Sequence, residues 1–297
     1  MIRALTSRIP ISLKRLAARK RPRLRKPLND TPDISGQRFL FIGGLHRSGT
    51  SILHRLLCEH PDASGFSGTG VEEDEGQHLQ SVFPPARAFG GPGHFAFQPA
   101  ASLMGTDPTT QDRDRLLREW GAYYDWTKPV LLEKSPPNLI RSNYFRALFP
   151  GSRFVFLVRH PICVALATRK WSKTSVIELV LHWTVAYRRM VEDCAGADDI
   201  LVLRYEDMVA FPQYSLDLIA AHAGLAQFTP SEAVTDQNGH YLNAWLTENE
   251  AEAELLETAF PDVARWMEAF GYSLRPPFVS KIGIDALPFV RPPRSEA

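Results

Sequence analysis

Short apolar runs alternate with amphipathic stretches along most of the chain. The runs QRFLFIGG, PVLLEK and RFVFLV are bounded by Gly, Pro or charged residues, as is typical of buried parallel strands, and DILVLRYEDM is predicted as a further strand. Stretches such as TSILHRLLCEH and VIELVLHWTVAYRRMVEDC carry apolar residues at helical spacing. The alternation predicts an α/β fold, a P-loop-like three-layer α/β/α domain with a central parallel sheet. Ligands of such a sheet bind at the carboxyl ends of its strands.

The pattern fades at both ends and in one internal segment. We expect a flexible basic tail over residues 1–35, one domain over residues 36–275 and a C-terminal tail over residues 276–297. Residues 81–112 are rich in Pro, Gly and Phe without a clear period, which predicts a long loop within a lid or acceptor-side insertion at residues 81–125. Two roles are open for its aromatic residues, the wall of an acceptor groove and the core. They are Phe83, Phe89, Phe95, Phe97 and those of YYDW.

The first predicted strand runs into GGLHRSGTS, which is similar to a phosphate-binding loop without its lysine. Against the pattern G-x-x-x-x-G-K-[ST], the chain has Gly44, Gly49 and Ser51, but Thr50 replaces the lysine and the cation has moved to Arg47. Backbone N–H groups of such a turn at a helix N-terminus bind an anion whatever the side chains. The alternative is a strand-to-helix turn without a ligand. The residues expected to bind phosphate are Gly44, His46, Arg47, Ser48, Gly49, Thr50 and Ser51.

Two other predicted strands end in cations. Arg159 and His160 follow RFVFLV, and Glu133 and Lys134 end PVLLEK. A nucleoside triphosphatase would use a loop lysine on the β and γ phosphates and a strand-end carboxylate on Mg²⁺. The sequence favours a second anion site over a metal site, and we expect no metal.

Four segments in the same order resemble sulfotransferases that use 3′-phosphoadenosine-5′-phosphosulfate (PAPS), of bacterial type and related to the tyrosylprotein and carbohydrate branch. FIGGLHRSGTS resembles the family's 5′-phosphosulfate-binding loop, in which the position of Arg47 is Lys or Arg. RFVFLVRHPICVALATRKW resembles the 3′-phosphate-binding segment, whose strand-end Arg, here Arg159, contacts that phosphate. LLEKSPPN resembles a Glu-Lys-Thr-Pro segment, and LRYEDMVAFP the Arg-Tyr-Glu-Asp signature.

This resemblance implies a fold, an activity and a donor. The enzyme would transfer a sulfuryl group from PAPS to a hydroxyl or amine of an acceptor and release 3′,5′-ADP. Transfer requires in-line geometry and stabilisation of charge on the leaving phosphate, for which Arg47 and Lys134 are the expected cations. The acceptor stays open among small molecules, glycans, lipids and peptides, and the sequence does not indicate an oligomeric state.

One position departs from the family pattern. The family usually has a Ser eight residues after the strand-end Arg, where its hydroxyl binds the 3′-phosphate, and this chain has Ala167 there, followed by Thr168. Adjacent helical residues point about 100° apart, so Thr168 replaces the Ser only if the helix is rotated or shifted. Lys170, Trp171 and Lys173 have two interpretations, donor contacts and a solvated helix face.

A general base is expected from the acidic stretch TGVEEDEGQHLQ. The stretch resembles tyrosylprotein sulfotransferases in its Glu-Glu pair and its distance from the loop, which implies a Glu base. Glu73 is the first choice and Glu75 the second, with His78 as a further candidate. Glu72 and Asp74 complete the acidic cluster, whose alternative role is a solvated turn. Carboxylates close to a bound anion should have raised pKa values, which suits a base that works near neutral pH.

The net charge of +1 conceals an asymmetry. Residues 1–26 carry ten of the 34 Lys and Arg residues and no acid, which leaves 24 basic and 33 acidic residues, a net charge of about −9, in the rest. The basic segment has no apolar core of signal-peptide type, so we do not expect cleaved secretion. It suits a solvated tail, a segment attracted to anionic membrane, an organelle transit peptide or a nucleic-acid arm. The acidic body argues against nucleic-acid binding.

Cysteine usage and hydropathy indicate the compartment. Cys58, Cys163 and Cys194 are widely spaced and form no C-x-x-C pair, which supports neither a disulfide framework nor a zinc site. The apolar runs fall short of the ~18 residues that cross a bilayer. We expect a cytoplasmic protein, with peripheral membrane contact through the basic tail as an alternative.

Two alternative functions are distinguished from a sulfotransferase by the residues that each would require. A P-loop small-molecule kinase would need the loop lysine and the metal carboxylate that the sequence lacks. An inactive anion-binding or membrane-associated protein would not need the acidic cluster, which is present together with the loop and the strand-end cation.

Overall fold

The computed structural model describes residues 24–280. Its five strands form one parallel sheet in the order β2–β3–β1–β4–β5. The strands are β1 Arg38–Gly44, β2 Ala63–Gly65, β3 Val130–Lys134, β4 Arg153–Val158 and β5 Ile200–Arg204. The predicted α/β fold with a central parallel sheet is confirmed, although the short β2 was not predicted.

Helices cover both faces of the sheet. Within the described residues the α-helices are α1 Thr50–Cys58, α2 Thr110–Gly121, α3 Ser142–Leu148, α4 Pro161–Arg169, α5 Val176–Cys194, α6 Tyr205–Ala210, α7 Pro212–Ala223, α8 Gly239–Glu248, α9 Glu250–Ala259 and α10 Pro261–Ala269. The predicted helix VIELVLHWTVAYRRMVEDC coincides with α5, which begins at a capping box between Ser175 and Glu178. The sequence pattern did not predict α2, which begins at a similar capping box, or α8 to α10. The predicted strand DILVLRYEDM ends at Arg204, because its YEDM part belongs to α6.

The two faces of the sheet bury different kinds of side chain. Alternate residues of a strand point to opposite faces, so Phe39 and Phe41 of β1 lie in one core cluster and Leu40 and Ile42 in the other. The first cluster is rich in aromatic residues from α2, α3 and α5, whereas the second consists mainly of aliphatic residues from α1, α6 and α7. With both faces buried, the strands read as continuous apolar runs.

The segment predicted to be a long loop contributes to the core. Residues Ala86–Phe89, Phe95–Phe97 and Pro99–Ser102 form short 3-10 helices, and α2 follows them. Phe83 and Phe95 are buried in the aromatic-rich cluster, whereas Phe97 is 38% exposed. The Tyr124 hydroxyl of YYDW donates to the Leu132 carbonyl at 3.1 Å. Phe83, Phe95 and Tyr124 are therefore core residues, and Phe89, Tyr123 and Trp126 are half-buried against the same core.

The described part of the N-terminal tail lies against α2. The Leu28 N–H donates to the Arg118 carbonyl at 2.9 Å, and the Arg118 guanidinium donates to the Thr31 hydroxyl at 2.9 Å. At the other end, the Ser280 N–H donates to the Gly271 carbonyl at 2.8 Å. The rest of both predicted tails, residues 1–23 and 281–297, lies outside the described residues, and the tail boundaries stay predictions.

The topology brings three chain segments to one edge of the sheet. β1 lies between β3 and β4, so the segments that follow Gly44, Lys134 and Val158 leave the sheet side by side. Binding sites of open parallel sheets form at such carboxyl edges. None of the helices in residues 24–280 is long and apolar enough to span a membrane.

Candidate active site

The loop after β1 depends on two glycines. Gly44 has φ 153°, and a Cβ at this position would lie 2.6 Å from the Leu157 carbonyl oxygen. Gly49, the residue before α1, has φ 99°, and its Cβ would lie 2.8 Å from the Tyr205 ring. Any larger residue would clash at both positions, so the tight turn requires glycine here.

The loop is anchored from the core side and open at the helix N-terminus. The buried Ser48 hydroxyl lies 3.3 Å from the Tyr187 hydroxyl, which donates to the Leu157 carbonyl at 2.7 Å. Within residues 24–280, no side chain caps the N-terminus of α1. The first N–H groups of α1 are thus available to an anion, and the helix dipole favours negative charge there.

A cavity of about 470 Å³ lies at this edge of the sheet. Its volume is in the range of small-molecule sites. The wall includes His46, Arg47, Gly49, Thr50, Ser51, Glu72, Glu73, Glu75, Gln77, His78, Arg87, Arg159, Trp171 and Tyr205, together with residues of the 232–237 segment. The cavity therefore joins the loop, the acidic stretch and the strand-end arginine that the sequence singled out separately.

Arg159 is a buried cation that has no carboxylate partner in residues 24–280. It is 5% exposed, its Nε donates to Asn238 Oδ1 at 2.8 Å and its Nη1 donates to the Arg47 carbonyl at 2.8 Å. Its Nη2 is buried without a hydrogen-bond partner among the described residues, and the Tyr205 ring lies 4.4 Å from the guanidinium carbon. A buried charge without an opposite charge is costly, so this site fits an anionic ligand.

Arg47 occupies the exposed side of the same cavity. It has a left-handed backbone conformation, with φ 73°, and its guanidinium carbon lies 4.5 Å from the centre of the Trp171 ring. The Trp171 side chain is 62% exposed and lines the cavity, so this pair stays accessible to a ligand. An exposed cation–π contact is worth only about 0.5–1 kcal/mol, so a bound anion can displace it.

Lys134 connects the loop to the acidic stretch. Its ammonium group is fully buried, and it donates to the Ser51 hydroxyl at 3.3 Å and to the Glu73 carbonyl. It also forms an ion pair with Glu75, with 3.5 Å between Lys134 Nζ and Glu75 Oε1. The cation therefore lies between the first turn of α1 and a carboxylate in the cavity wall.

Glu75 is the buried acid of the cluster. It is 4% exposed and accepts a hydrogen bond from Gln77 Nε2 at 2.5 Å. Burial raises the pKa of Glu75 above its usual range, although the nearby Lys134 ammonium lowers it in part. A carboxylate with a raised pKa and a place in the cavity wall is suited to accept a proton.

The other acids of the cluster differ from Glu75. Asp74 accepts hydrogen bonds from the Gly68 and Thr69 N–H groups at 3.1 and 2.8 Å, so its carboxylate closes a turn. The Glu72 and Glu73 side chains are exposed in the cavity wall, and Glu73 contributes its carbonyl to Lys134. The solvated-turn interpretation thus describes part of the cluster, and Glu75 stands apart from it.

The two histidines of the cavity are neutral near pH 7. Burial, with a contribution from Lys134, lowers the pKa of His46 to about 3. Burial and the Arg87 charge lower the pKa of His78 to about 4. His78 lies 3.6 Å from Glu75 Oε2, but its low pKa makes it a poor general base near neutral pH.

Thr168 is not among the residues that line the cavity. Its side chain is buried in α4, and its hydroxyl has no hydrogen-bond partner within the described part of the chain. Lys170 donates to the Tyr241 hydroxyl at 3.2 Å, and Lys173 lines a neighbouring cavity with His94. The structure therefore brings Arg159 to the cavity without Thr168, whose donor contact stays a prediction.

Several residues behind the cavity were not found from the sequence. The Gln77 N–H donates to the Ser135 hydroxyl at 2.9 Å, which in turn donates to Glu133 at 2.6 Å. Burial raises the pKa of Glu133 to about 7. Asn138 also donates to Glu133, whose carboxylate is buried below the cavity wall. No group of acidic, histidine or cysteine side chains in residues 24–280 could hold a metal ion.

The LRYEDM segment supports Arg159, a role that its resemblance to the family signature did not define. Arg204 and Asp207 form a buried ion pair at 2.6 Å, and the Tyr205 ring packs against Arg159. Glu206 is half-buried and accepts hydrogen bonds from the His160 N–H and from Asn238 Nδ2 at 3.0 and 2.7 Å. The LRYEDM segment thus holds Arg159 in position, through the Tyr205 ring directly and through Glu206 by way of Asn238.

Comparison with known proteins agrees with these observations. A model of the sulfotransferase family matches residues 40–230. The chain is 24% identical over 196 residues to protein-tyrosine sulfotransferase 2 of Gallus gallus, covering 63% of this chain and 51% of that protein. It is 26% identical over 187 residues to protein-tyrosine sulfotransferase of Drosophila melanogaster, covering 59% and 35%. The chain spans about half the length of the first of these relatives, and less of the second.

Solved structures include distant neighbours. Sulfotransferase STF9 from Mycobacterium avium is 14% identical with a TM-score of 0.49, covering 79% of this chain and 77% of that chain. The sulfotransferase domain from the curacin biosynthetic pathway is 16% identical with a TM-score of 0.48, covering 80% and 99%.

Proposed function

The chain belongs to the sulfotransferase family, and we propose that it transfers a sulfuryl group from PAPS to a hydroxyl or amine of an acceptor. The observation that carries the proposal is the joining of two anion sites in one cavity. The loop and the α1 N-terminus would form one site, and the buried Arg159, which has no carboxylate partner among the described residues, would form the other. A donor with phosphates at both the 5′ and 3′ positions fits such a pair.

Different groups of the protein would bind the 5′ and 3′ ends of the donor. The first N–H groups of α1 suit the 5′-phosphosulfate, and Arg159 suits the 3′-phosphate through Nη2, which has no hydrogen-bond partner in residues 24–280. Arg47 and Lys134 flank the loop and can stabilise negative charge on the leaving phosphate. Bound PAPS would supply the sulfuryl group and leave as 3′,5′-ADP.

Glu75 is the general base that the geometry supports best. It lines the cavity, lies beside Lys134 and has a pKa raised by burial, whereas the first sequence choice, Glu73, has an exposed side chain. Its role is to accept the proton of the acceptor group during transfer. Gln77 and Lys134 hold its two oxygens and so fix its orientation.

The donor can be identified by calorimetry. We expect the protein to bind 3′,5′-ADP without Mg²⁺, because both phosphates meet cationic or N–H sites and the described residues offer no metal cluster. Preference for ATP, or strict dependence on Mg²⁺, would support the kinase alternative. Transfer from labelled PAPS to members of an acceptor panel separates an enzyme from an inactive anion-binding protein.

Replacing Arg159 with Ala should weaken the binding of 3′,5′-ADP more than the binding of 5′-AMP. The loss should be about 1.5–3 kcal/mol, the scale of a charge-assisted hydrogen bond. Arg153→Ala is the matched control, because Arg153 lies at the opposite end of β4 and donates to the Asp198 carbonyl. Equal losses of affinity for both nucleotides in Arg159→Ala would show that the 3′-phosphate does not bind at Arg159.

The same acceptor panel also tests which class of acceptor the protein uses. The relatives in Gallus gallus and Drosophila melanogaster are named protein-tyrosine sulfotransferases, which makes a peptidyl tyrosine one acceptor to test. Glycans, lipids and small phenols complete the panel, because the cavity wall mixes carboxylates with arginines and does not favour one class.

The basic N-terminal segment should affect location and not catalysis. Because residues 28–31 bond to α2, a test deletion should stop at residue 23. We expect the shortened protein to bind 3′,5′-ADP normally and to bind phosphatidylserine vesicles more weakly, by up to about 1 kcal/mol for each basic residue that reaches the surface. Unchanged vesicle binding would contradict the membrane role. The cytoplasmic location stays a proposal, testable by fractionation.

A further inference from the structure

Asn238 joins Arg159 to the half-buried carboxylate of Glu206. It precedes α8 and is 5% exposed. Its Oδ1 accepts from Arg159 Nε at 2.8 Å, and its Nδ2 donates to Glu206 Oε1 at 2.7 Å. Because arginine Nε can only donate, the orientation of the amide follows from its two partners.

Glu206 is a fixed anchor for this amide. Its carboxylate is half-buried and accepts the His160 N–H at 3.0 Å and the Tyr272 hydroxyl at 2.7 Å. Asn238 therefore connects Arg159 to a rigid part of the fold through a neutral group. A carboxylate in its place would pair with the guanidinium and reduce its attraction for a phosphate.

The bonds to Arg159 leave one nitrogen for a ligand. Nε is held by Asn238 and Nη1 by the Arg47 carbonyl at 2.8 Å, which together fix the plane of the guanidinium. Nη2 is the buried atom without a partner in residues 24–280, and Arg159 lines the cavity. The two bonded nitrogens hold the guanidinium in place. The direction in which Nη2 can donate is therefore fixed as well.

We propose that Asn238 is a positioning residue that gives the donor site its preference for a nucleotide with a 3′-phosphate. The inference rests on the proposed function, in which Arg159 binds that phosphate. Without the Asn238 amide, the Arg159 guanidinium loses its Nε acceptor and can rotate away from the ligand. Donor binding then loses the contribution of the 3′-phosphate while the loop site is intact.

Asn249 offers a matched control. It precedes α9 as Asn238 precedes α8, and it is 2% exposed. It too accepts from an arginine, Arg169 Nη1 at 3.5 Å, and its Nδ2 donates to the Ala244 carbonyl at 3.0 Å. Asn249 is not part of the cavity wall. Asn249→Ala therefore removes a similar buried amide without touching the donor site.

The test compares two nucleotides by calorimetry. The ratio of the Kd of 5′-AMP to that of 3′,5′-ADP should fall about tenfold or more in Asn238→Ala and stay unchanged in Asn249→Ala. Asn238→Ser keeps a residue that favours a helix N-terminus but is too short to reach Arg159, and it should show the same fall. Melting temperatures of the variants measure any loss of folding separately.

A double variant separates positioning from general damage. In an Arg159→Ala background, Asn238→Ala should cause no further fall in the ratio, because the group that it positions is absent. An unchanged ratio in Asn238→Ala or Asn238→Ser, or an equal fall in Asn249→Ala, would overturn the inference. A wild-type protein without preference for 3′,5′-ADP would instead refute the proposed donor.

Discussion

Replacing Glu75 with Gln should lower kcat by roughly 10²–10⁴ while leaving 3′,5′-ADP binding close to that of the wild type. Gln keeps the size of the side chain and can still accept from Lys134, but it cannot take a proton at neutral pH. Steady-state rates with labelled PAPS and any acceptor found in the panel measure the loss, and calorimetry measures nucleotide binding.

Glu73→Gln is the matched control for this variant. Glu73 lines the same cavity two residues earlier, but its side chain is exposed and its contact with Lys134 is through the main chain. We expect Glu73→Gln to retain most of its activity. Full loss in Glu73→Gln with activity kept in Glu75→Gln would return the role to the first sequence choice.

The pH dependence gives an independent test of the same assignment. A base works only when deprotonated, so kcat should fall as the pH drops through the pKa of Glu75, which burial raises above the usual range for a glutamate. That acidic limb should be present in wild type and in Glu73→Gln, and it should disappear in Glu75→Gln. A limb retained in Glu75→Gln would assign the titration to another group.

The sequence predicted the features that depend on local pattern. The apolar runs located β1, β3, β4 and β5, because strands buried on both faces leave a continuous signal. The Gly-bearing loop located one wall of the cavity, because the turn itself needs Gly44 and Gly49. Arg159 followed from its place at a strand end, and the structure brings it to the same cavity.

Other features depend on contacts between distant parts of the chain. Asn238 lies 79 residues from Arg159, in a polar segment without periodicity, so its role is visible only in the folded protein. The distinction between Glu73 and Glu75 is also tertiary, because burial and Lys134 act on one acid and leave its neighbour exposed. Phe83 and Phe95 of the 81–125 segment lie in the core, where Phe83 contacts the Trp120 ring of α2 and Phe95 contacts the His182 ring of α5.

Replacing Lys134 with Met should lower kcat by about two to three orders of magnitude, the scale of a lost charge-stabilising donor. Met fills most of the lysine volume but removes the ammonium group that lies between Ser51 and Glu75. Lys128→Met is the control, because Lys128 precedes the same strand and donates to the Pro61 carbonyl at the surface. The control should retain wild-type rates.

The same variant should move the acidic limb of the kcat profile to higher pH. Burial raises the pKa of Glu75 and the Lys134 charge partly opposes this, so loss of the charge raises the pKa further. A higher pH is then needed to keep Glu75 deprotonated. In a Lys134→Met, Glu75→Gln double variant the limb should be absent, because the titrating group has been removed. A limb that stays in place in Lys134→Met, or moves to lower pH, would show that the ion pair does not control the base.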